Sequence, residues 1–195
     1  MTTRIGVLGG TFDPPHVGHL CLAAQALAQL DLDRVLLVVA NDPWQKHDGR
    51  RISPAEARFA MLAAAVEGRS ALEASRLEIE RGGESFTIDT VKQLHAPDRE
   101  IFLIIGSDLV AQLPTWRSWQ ALPELVTLAV GRRGGGAPVQ LSPVWNATEL
   151  RLPALEISSS ELRAMAGDDL PLDFLVPDAV ISVIERLRLY RPRPA

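Results

Sequence analysis

The chain has 195 residues, 47% of them hydrophobic and 23% charged, with a formal net charge of −4. That length predicts one well-cored domain over residues 1–195, and so small a charge excess excludes a protein that holds nucleic acid or another polyanion on a charged face. A single cysteine excludes a disulfide framework within the chain, fitting a reducing cytoplasm; no apolar run reaches membrane-spanning length, and no signal peptide is expected ahead of the first strand.

The run Ile5-Gly6-Val7-Leu8 is short, apolar and followed by glycines, the pattern of a strand buried in a parallel sheet. It enters the loop Gly9-Gly10-Thr11-Phe12-Asp13-Pro14-Pro15-His16-Val17-Gly18-His19. The glycines permit close backbone approach, and the prolines keep the loop extended. A helix follows whose apolar face is predicted to be Val17, Leu20, Cys21, Ala24, Leu27 and Leu30, which makes Cys21 a core residue. Strand, turn and helix start together aim N–H groups and the positive end of a helix dipole at one spot, where a phosphate can sit. His16 and His19, three residues apart at the helix entrance, can both face that anion. The same pair could ligate zinc or cap the helix, although no further Cys or His lies close in sequence to complete a metal site. The loop has neither the P-loop ending nor the Rossmann glycine spacing.

Arg34 to Ala40 reads as a second buried strand, opening into a loop in which Lys46 is a candidate phosphate contact or a solvated lysine. Ser53-Pro54-Ala55-Glu56 has the form of a capping box for a helix burying Phe59, Leu62, Ala63 and Val66, with Arg58 off that stripe. A strand is predicted near Leu77-Glu78-Ile79, then a glycine turn into a helix through about His95, with Thr87 as its N-cap. Glu100 to Gly106 is a strongly apolar strand, ending at Asp108, a carboxylate placed to meet a ribose or to cap the next helix. Trp116 and Trp119 follow, either core or stacking surfaces for an aromatic base.

Leu125 to Val130 is predicted as a strand, 131–143 as a glycine- and proline-rich mobile loop, and Leu150 to Ile157 as a strand. Ser158-Ser159-Ser160-Glu161-Leu162-Arg163 then combines hydroxyls, a helix start and an arginine one turn on, a set that can hold a polyphosphate; a capping box from Ser158 to Glu161 accounts for part of it. The last helix, from about Asp178 to Tyr190, is predicted to bury Val180, Val183, Ile184 and Leu187.

The segment from Gly9 to His19, paired with Ile157 to Arg163, resembles the two motifs of the HxGH nucleotidyltransferase superfamily. Pro43 to Lys46, Arg81 to Thr90, Gly106 to Asp108, Trp116 and the closing Leu189-Tyr190 resemble its bacterial nicotinate-nucleotide adenylyltransferase branch. The resemblance implies an α/β, Rossmann-like nucleotidyltransferase fold, with a mostly parallel central sheet and helices on both faces. It implies adenylyl transfer from ATP to nicotinate mononucleotide, with Mg²⁺ arriving on ATP rather than on side chains. His16, His19, Lys46 and Arg163 would then be catalytic. Gly9, Gly10, Thr11, Phe12, Gly106, Asp108, Ile157, Ser158 and Ser159 would join His16, His19 and Arg163 around ATP, and Lys46, Phe86, Thr87 and Trp116 would hold the nicotinate nucleotide. The expected partners are the two small-molecule substrates and a second copy in a homodimer, with no nucleic acid and no membrane.

Two positions depart from the branch: Ser160 stands where threonine is usual and Phe86 where tyrosine is common. A sister transferase acting on nicotinamide mononucleotide or phosphopantetheine, and a nucleotide-binding module without turnover, remain alternatives at this stage.

Overall fold

The computed structural model describes residues 2–43, 52–133 and 141–191. Lys46 therefore lies outside the described residues, as do 134–140 of the predicted loop. Six strands, β1 (Thr3–Gly10), β2 (Arg34–Val39), β3 (Leu72–Ser75), β4 (Arg99–Gly106), β5 (Thr127–Arg133) and β6 (Ala147–Leu152), make one sheet. Their order is β3-β2-β1-β4-β5-β6 and every neighbouring pair is parallel. The helices are α1 (Val17–Gln29), α2 (Ala55–Val66), the short α3 (Leu77–Arg81), α4 (Thr87–Leu94), α5 (Ser159–Gly167) and α6 (Asp178–Leu187). Two 3-10 runs, Ser107–Thr115 and Trp119–Glu124, connect β4 to β5.

Strand alternation divides the core. Leu8, Leu37, Phe102 and Ile104 pack on Leu22, Ala23 and Ala26 of α1 and on Leu62 and Val66 of α2. Val7, Val38, Leu103 and Ile105 pack on the opposite face against Ile88 and Val91 of α4 and against Leu113 and Leu122 of the 3-10 runs. A third cluster joins the outer side of α2, Met61 and Ala65, to Leu162 of α5 and to Val180, Val183 and Ile184 of α6. The chain leaves β1 toward one face and enters β4 from the other. That reversal opens a crevice beyond the carboxyl ends of β1 and β4, where doubly wound sheets bind ligands.

Several expectations are corrected. Leu77-Glu78-Ile79 is the helical turn α3, and the third strand lies upstream at Leu72–Ser75; the buried Glu78 is held by partners on α4 that local pattern cannot display. The buried stripe of α1 is Leu22, Ala23 and Ala26, with Ala24 exposed, because alanines fit either side of a helix and blur its period. Helix α2 is buried on two sides, so Arg58, Met61 and Ala65 are buried beside Leu62 and Val66, while Phe59 and Ala63 are only partly covered. No capping box forms at its start: Pro54 is the cap residue, and the Ser53 N–H instead donates to Asp13 at 3.1 Å. β6 ends at Leu152, short of the predicted Ile157, and α6 ends at Leu187, which is exposed.

Gly6 sits at the centre of this packing. A Cβ there would stand 2.8 Å from Ile104 Cδ1, 2.9 Å from Leu32 Cδ1 and 3.0 Å from Val35 Cγ2. Gly6→Ala is expected to lower stability by about 1–3 kcal/mol through overpacking, read as a lower urea midpoint at unchanged m-value.

Candidate active site

The crevice is a cavity of about 470 Å³, within the range of small-molecule sites. Its walls include Gly9, Gly10, Thr11, His16 and His19 from the first loop, Gly106 and Asp108 after β4, and Ile157, Ser158, Ser159 and Arg163 at the start of α5. Phe86, Thr87 and Trp116 line it too. The structure thus gathers the predicted site residues around one space, apart from Lys46 and Phe12.

Phe12 is buried, with φ 51°, and its ring underlies the loop. It meets the His19 ring edge-on at 5.0 Å between centroids, while His16 and His19 lie 3.8 Å apart at 35°. His16 is the N-cap residue of α1, and its N–H donates to His19 Nδ1 at 3.3 Å. Gly18 lets the loop close: a Cβ there would come 3.0 Å from both His16 Nδ1 and Ile157 Cγ2, so this glycine permits the two motifs to touch. At Gly9 a Cβ would meet no atom of the described residues within 4 Å and would stand on the cavity wall.

The second motif is sewn to the first. The Ser159 hydroxyl donates to the Pro14 carbonyl at 2.9 Å, and Arg163 donates to the Asp13 carbonyl at 2.7 Å and to Ser160 Oγ at 3.2 Å. Ser158 caps α5, accepting from the Glu161 N–H at 3.2 Å; the Glu161 carboxylate takes the Ser158 hydroxyl at 2.8 Å rather than its backbone N–H, so only half of the predicted capping box forms.

Below this seam lies Arg58, 1% exposed, which sequence reasoning set aside as off the apolar stripe. It donates to the carbonyls of Ser53 (2.8 Å), Thr11 (3.0 Å), Ala40 (2.6 Å) and Asn41 (3.0 Å). Burial pulls its pKa down, opposed chiefly by the negative charge of Asp13. Asp13, itself buried, accepts from the Ser53 N–H at 3.1 Å and the Tyr190 hydroxyl at 2.7 Å. The available signal was spacing: Arg58 stands three and four residues before Met61 and Leu62, both buried.

The far end of the cavity is built from the turn between α3 and α4. Asn41 holds it, its N–H donating to Ser85 Oγ at 2.8 Å and its side chain to the Gly83 carbonyl at 2.9 Å, while the Ser85 N–H returns a bond to Asp42 at 2.9 Å. Glu78 and Thr90, both buried, form part of this wall. The Thr90 hydroxyl donates to Glu78 and accepts from Arg81 at 3.2 and 3.3 Å. Thr87 is the first residue of α4 rather than its N-cap; Phe86 holds that position and supplies no side-chain cap. Asp108 likewise caps nothing and stands on the cavity wall. Cys21 also faces the cavity rather than the core, with burial pushing its thiol pKa up.

Burial, then the neighbouring Asp13 charge and hydrogen bond, push the Tyr190 phenol well above its usual pKa. Folding therefore favours the protonated phenol, and this contribution is lost as pH rises above about 10, where the unfolded side chain ionises. Tyr190 is the single tyrosine of the chain, so ultraviolet titration reads it alone. Native protein at about pH 11 is expected to show no tyrosinate absorbance until it unfolds; ordinary titration near 10 in the folded state would contradict the buried Asp13–Tyr190 contact.

The cytidylyltransferase-like family profile matches residues 7–165. A relative from Corynebacterium kroppenstedtii, named "Probable nicotinate-nucleotide adenylyltransferase", is 40% identical over 194 residues, covering 97% of this chain and 92% of its own. One of the same name from Frankia casuarinae is 43% identical over 188 residues, covering 94% and 98%. Among solved structures, the Plasmodium falciparum nicotinic acid mononucleotide adenylyltransferase complexed with NaAD superposes with a TM-score of 0.77 at 19% identity, over 96% of this chain and 97% of that one; the likeness carries the Rossmann-like fold. With both outer motifs meeting across one crevice and full-length relatives at this identity, the chain belongs to the cytidylyltransferase-like family and, within it, to the nicotinate-nucleotide adenylyltransferases.

Proposed function

We propose that the chain transfers the adenylyl group of ATP to nicotinate mononucleotide, forming deamido-NAD and pyrophosphate in NAD biosynthesis. The observation that carries this is the cavity: phosphate-holding groups from both motifs at one end, and at the other an aromatic wall beside the N-terminus of α4. ATP takes the first end, with the backbone of Gly9 to Phe12 along it, Asp108 at a ribose, and His16, His19, Ser158, Ser159 and Arg163 around the phosphates. Nicotinate stacks on Trp116, with its carboxylate at the N–H groups around Phe86 and Thr87. Lys46, outside the described residues, is proposed as a further phosphate contact. Among the described residues no group of three or more His, Cys, Asp or Glu gathers to hold a metal; the divalent ion proposed is Mg²⁺, arriving with ATP.

The attacking phosphate oxygen is already anionic, so no side-chain base is required. It forms a bond to the α-phosphorus of ATP as the bond from that phosphorus to the bridging oxygen breaks and pyrophosphate leaves with the electron pair. The protein's work is alignment and the stabilisation of charge on oxygen. His19 and Arg163 supply donors for that charge. The Arg163 bond to the Asp13 carbonyl restricts the guanidinium before substrate arrives, so little order has to be imposed at the moment of reaction.

Among the described residues no helix is long and apolar enough to cross a membrane; the site of action proposed is the cytoplasm. The reaction is tested by pyrophosphate release from ATP and Mg²⁺ with nicotinate mononucleotide, nicotinamide mononucleotide or phosphopantetheine, the dinucleotide being confirmed by chromatography. Preference for the first is expected; activity with phosphopantetheine alone would overturn the assignment of the aromatic wall. His19→Ala is expected to lower kcat by about 10²–10³-fold, the effect of removing one donor aimed at developing charge, in protein that remains folded by circular dichroism. Near-normal turnover would remove His19 from the mechanism.

A further inference from the structure

We infer that Arg117 reads the acid group of the pyridine ring and so sets the preference for nicotinate over nicotinamide mononucleotide; this deepens the reading above and rests on it. Arg117 follows Trp116 directly and lines the same cavity. Its guanidinium carbon lies 4.5 Å from the centroid of the Phe86 ring, and a terminal nitrogen stands 3.9 Å from Asp89 Oδ2. The side chain is 58% exposed, so the cation packs on an aromatic ring while much of it stays accessible along the cavity lining.

This corner combines features that discriminate a carboxylate from a carboxamide. Trp116 supplies a face for a planar ring, and the neighbouring guanidinium offers N–H donors of fixed geometry that add to the backbone N–H groups around Phe86 and Thr87, since each carboxylate oxygen accepts more than one bond. A carboxamide brings one oxygen and an NH₂ whose donors would face other donors, and it carries no charge to offset the cation. Phe86 has no phenolic hydroxyl to compete for either ligand, and its ring is the platform on which Arg117 lies. Asp89 is too distant for a close hydrogen-bonded pair at 3.9 Å, so it orients the cation while leaving N–H groups for an incoming carboxylate.

The nucleotide phosphate is the other anion that Arg117 could meet, and a comparison of substrates separates the two because both mononucleotides carry that phosphate. Steady-state kinetics of wild type, Arg117→Ala and Arg117→Lys would be measured with nicotinate and nicotinamide mononucleotides at saturating ATP and Mg²⁺. Arg117→Ala is expected to raise the KM for nicotinate mononucleotide about tenfold, the size of a partly screened charge-assisted bond, with little change in kcat. The constants for nicotinamide mononucleotide should stay near wild type, so the preference ratio narrows by the same factor. Arg117→Lys, which keeps charge but loses the fork and the ring stacking, should fall between. An unchanged ratio, or equal losses with both substrates, would overturn the inference and leave the reaction assignment intact. Wild type inert with both mononucleotides would overturn the assignment itself, and this inference with it.

Discussion

A buried guanidinium holds the site together. Arg58 reaches four backbone carbonyls, in the loop after β1, at the end of β2 and just before its own helix. Those carbonyls lie where strands have stopped pairing and water is excluded, so each needs a donor, and arginine alone presents several in a fixed plane. A buried charge is tolerable only when it is hydrogen-bonded and compensated. Asp13 provides the compensation, and its own oxygens are taken up by the Ser53 N–H and the Tyr190 hydroxyl. One ionic centre thereby joins the first loop, the second loop, α2 and the far end of the chain.

The two ends of the cavity meet through this centre. On the phosphate side, Thr11 is held by Arg58, while the backbone of Asp13 and Pro14 receives Arg163 and Ser159 from the second motif. On the pyridine side, the Asn41 carbonyl is held by the same guanidinium, and Asn41 itself holds the turn that carries Ser85 and Phe86. In the proposed reaction, the separation between the triphosphate and the attacking nucleotide would be set by backbone bonded to this one guanidinium. For a reaction whose barrier is lowered mainly by alignment, a charged residue that touches neither substrate is well placed to matter.

Much of this was legible in the chain. The apolar strands announced a buried parallel sheet, and the glycine-proline-histidine loop and serine-rich helix start marked its carboxyl edge, because strand burial and helix capping are local properties. Other features depended on distant chain. Glu78 reads as part of a strand until its bond from Thr90 of α4 is known, and Arg58 stands off the apolar stripe until the carbonyls of Thr11, Ala40 and Asn41 are brought to it from the ends of β1 and β2. The α1 face was misplaced because alanine packs either way, and the role expected for Thr87 as a cap fell to Phe86, one residue earlier.

The same distinction separates the motifs from their support. His16, His19, Ser158 and Arg163 are recognisable because phosphate chemistry restricts residue type and spacing within a few positions. Asp13, Arg58 and Tyr190 satisfy one another across 177 residues, and any one of them alone has an ordinary sequence context. Arg163 belongs to both groups: it lies on the phosphate wall and is tied to the Asp13 carbonyl at 2.7 Å. A cation fixed to backbone before any anion arrives is preorganised, losing less freedom on binding than a free side chain would. In the proposed reaction the buried ionic centre acts in this indirect sense, by bonding through Thr11 and Asp13 the loop to which Arg163 is tied.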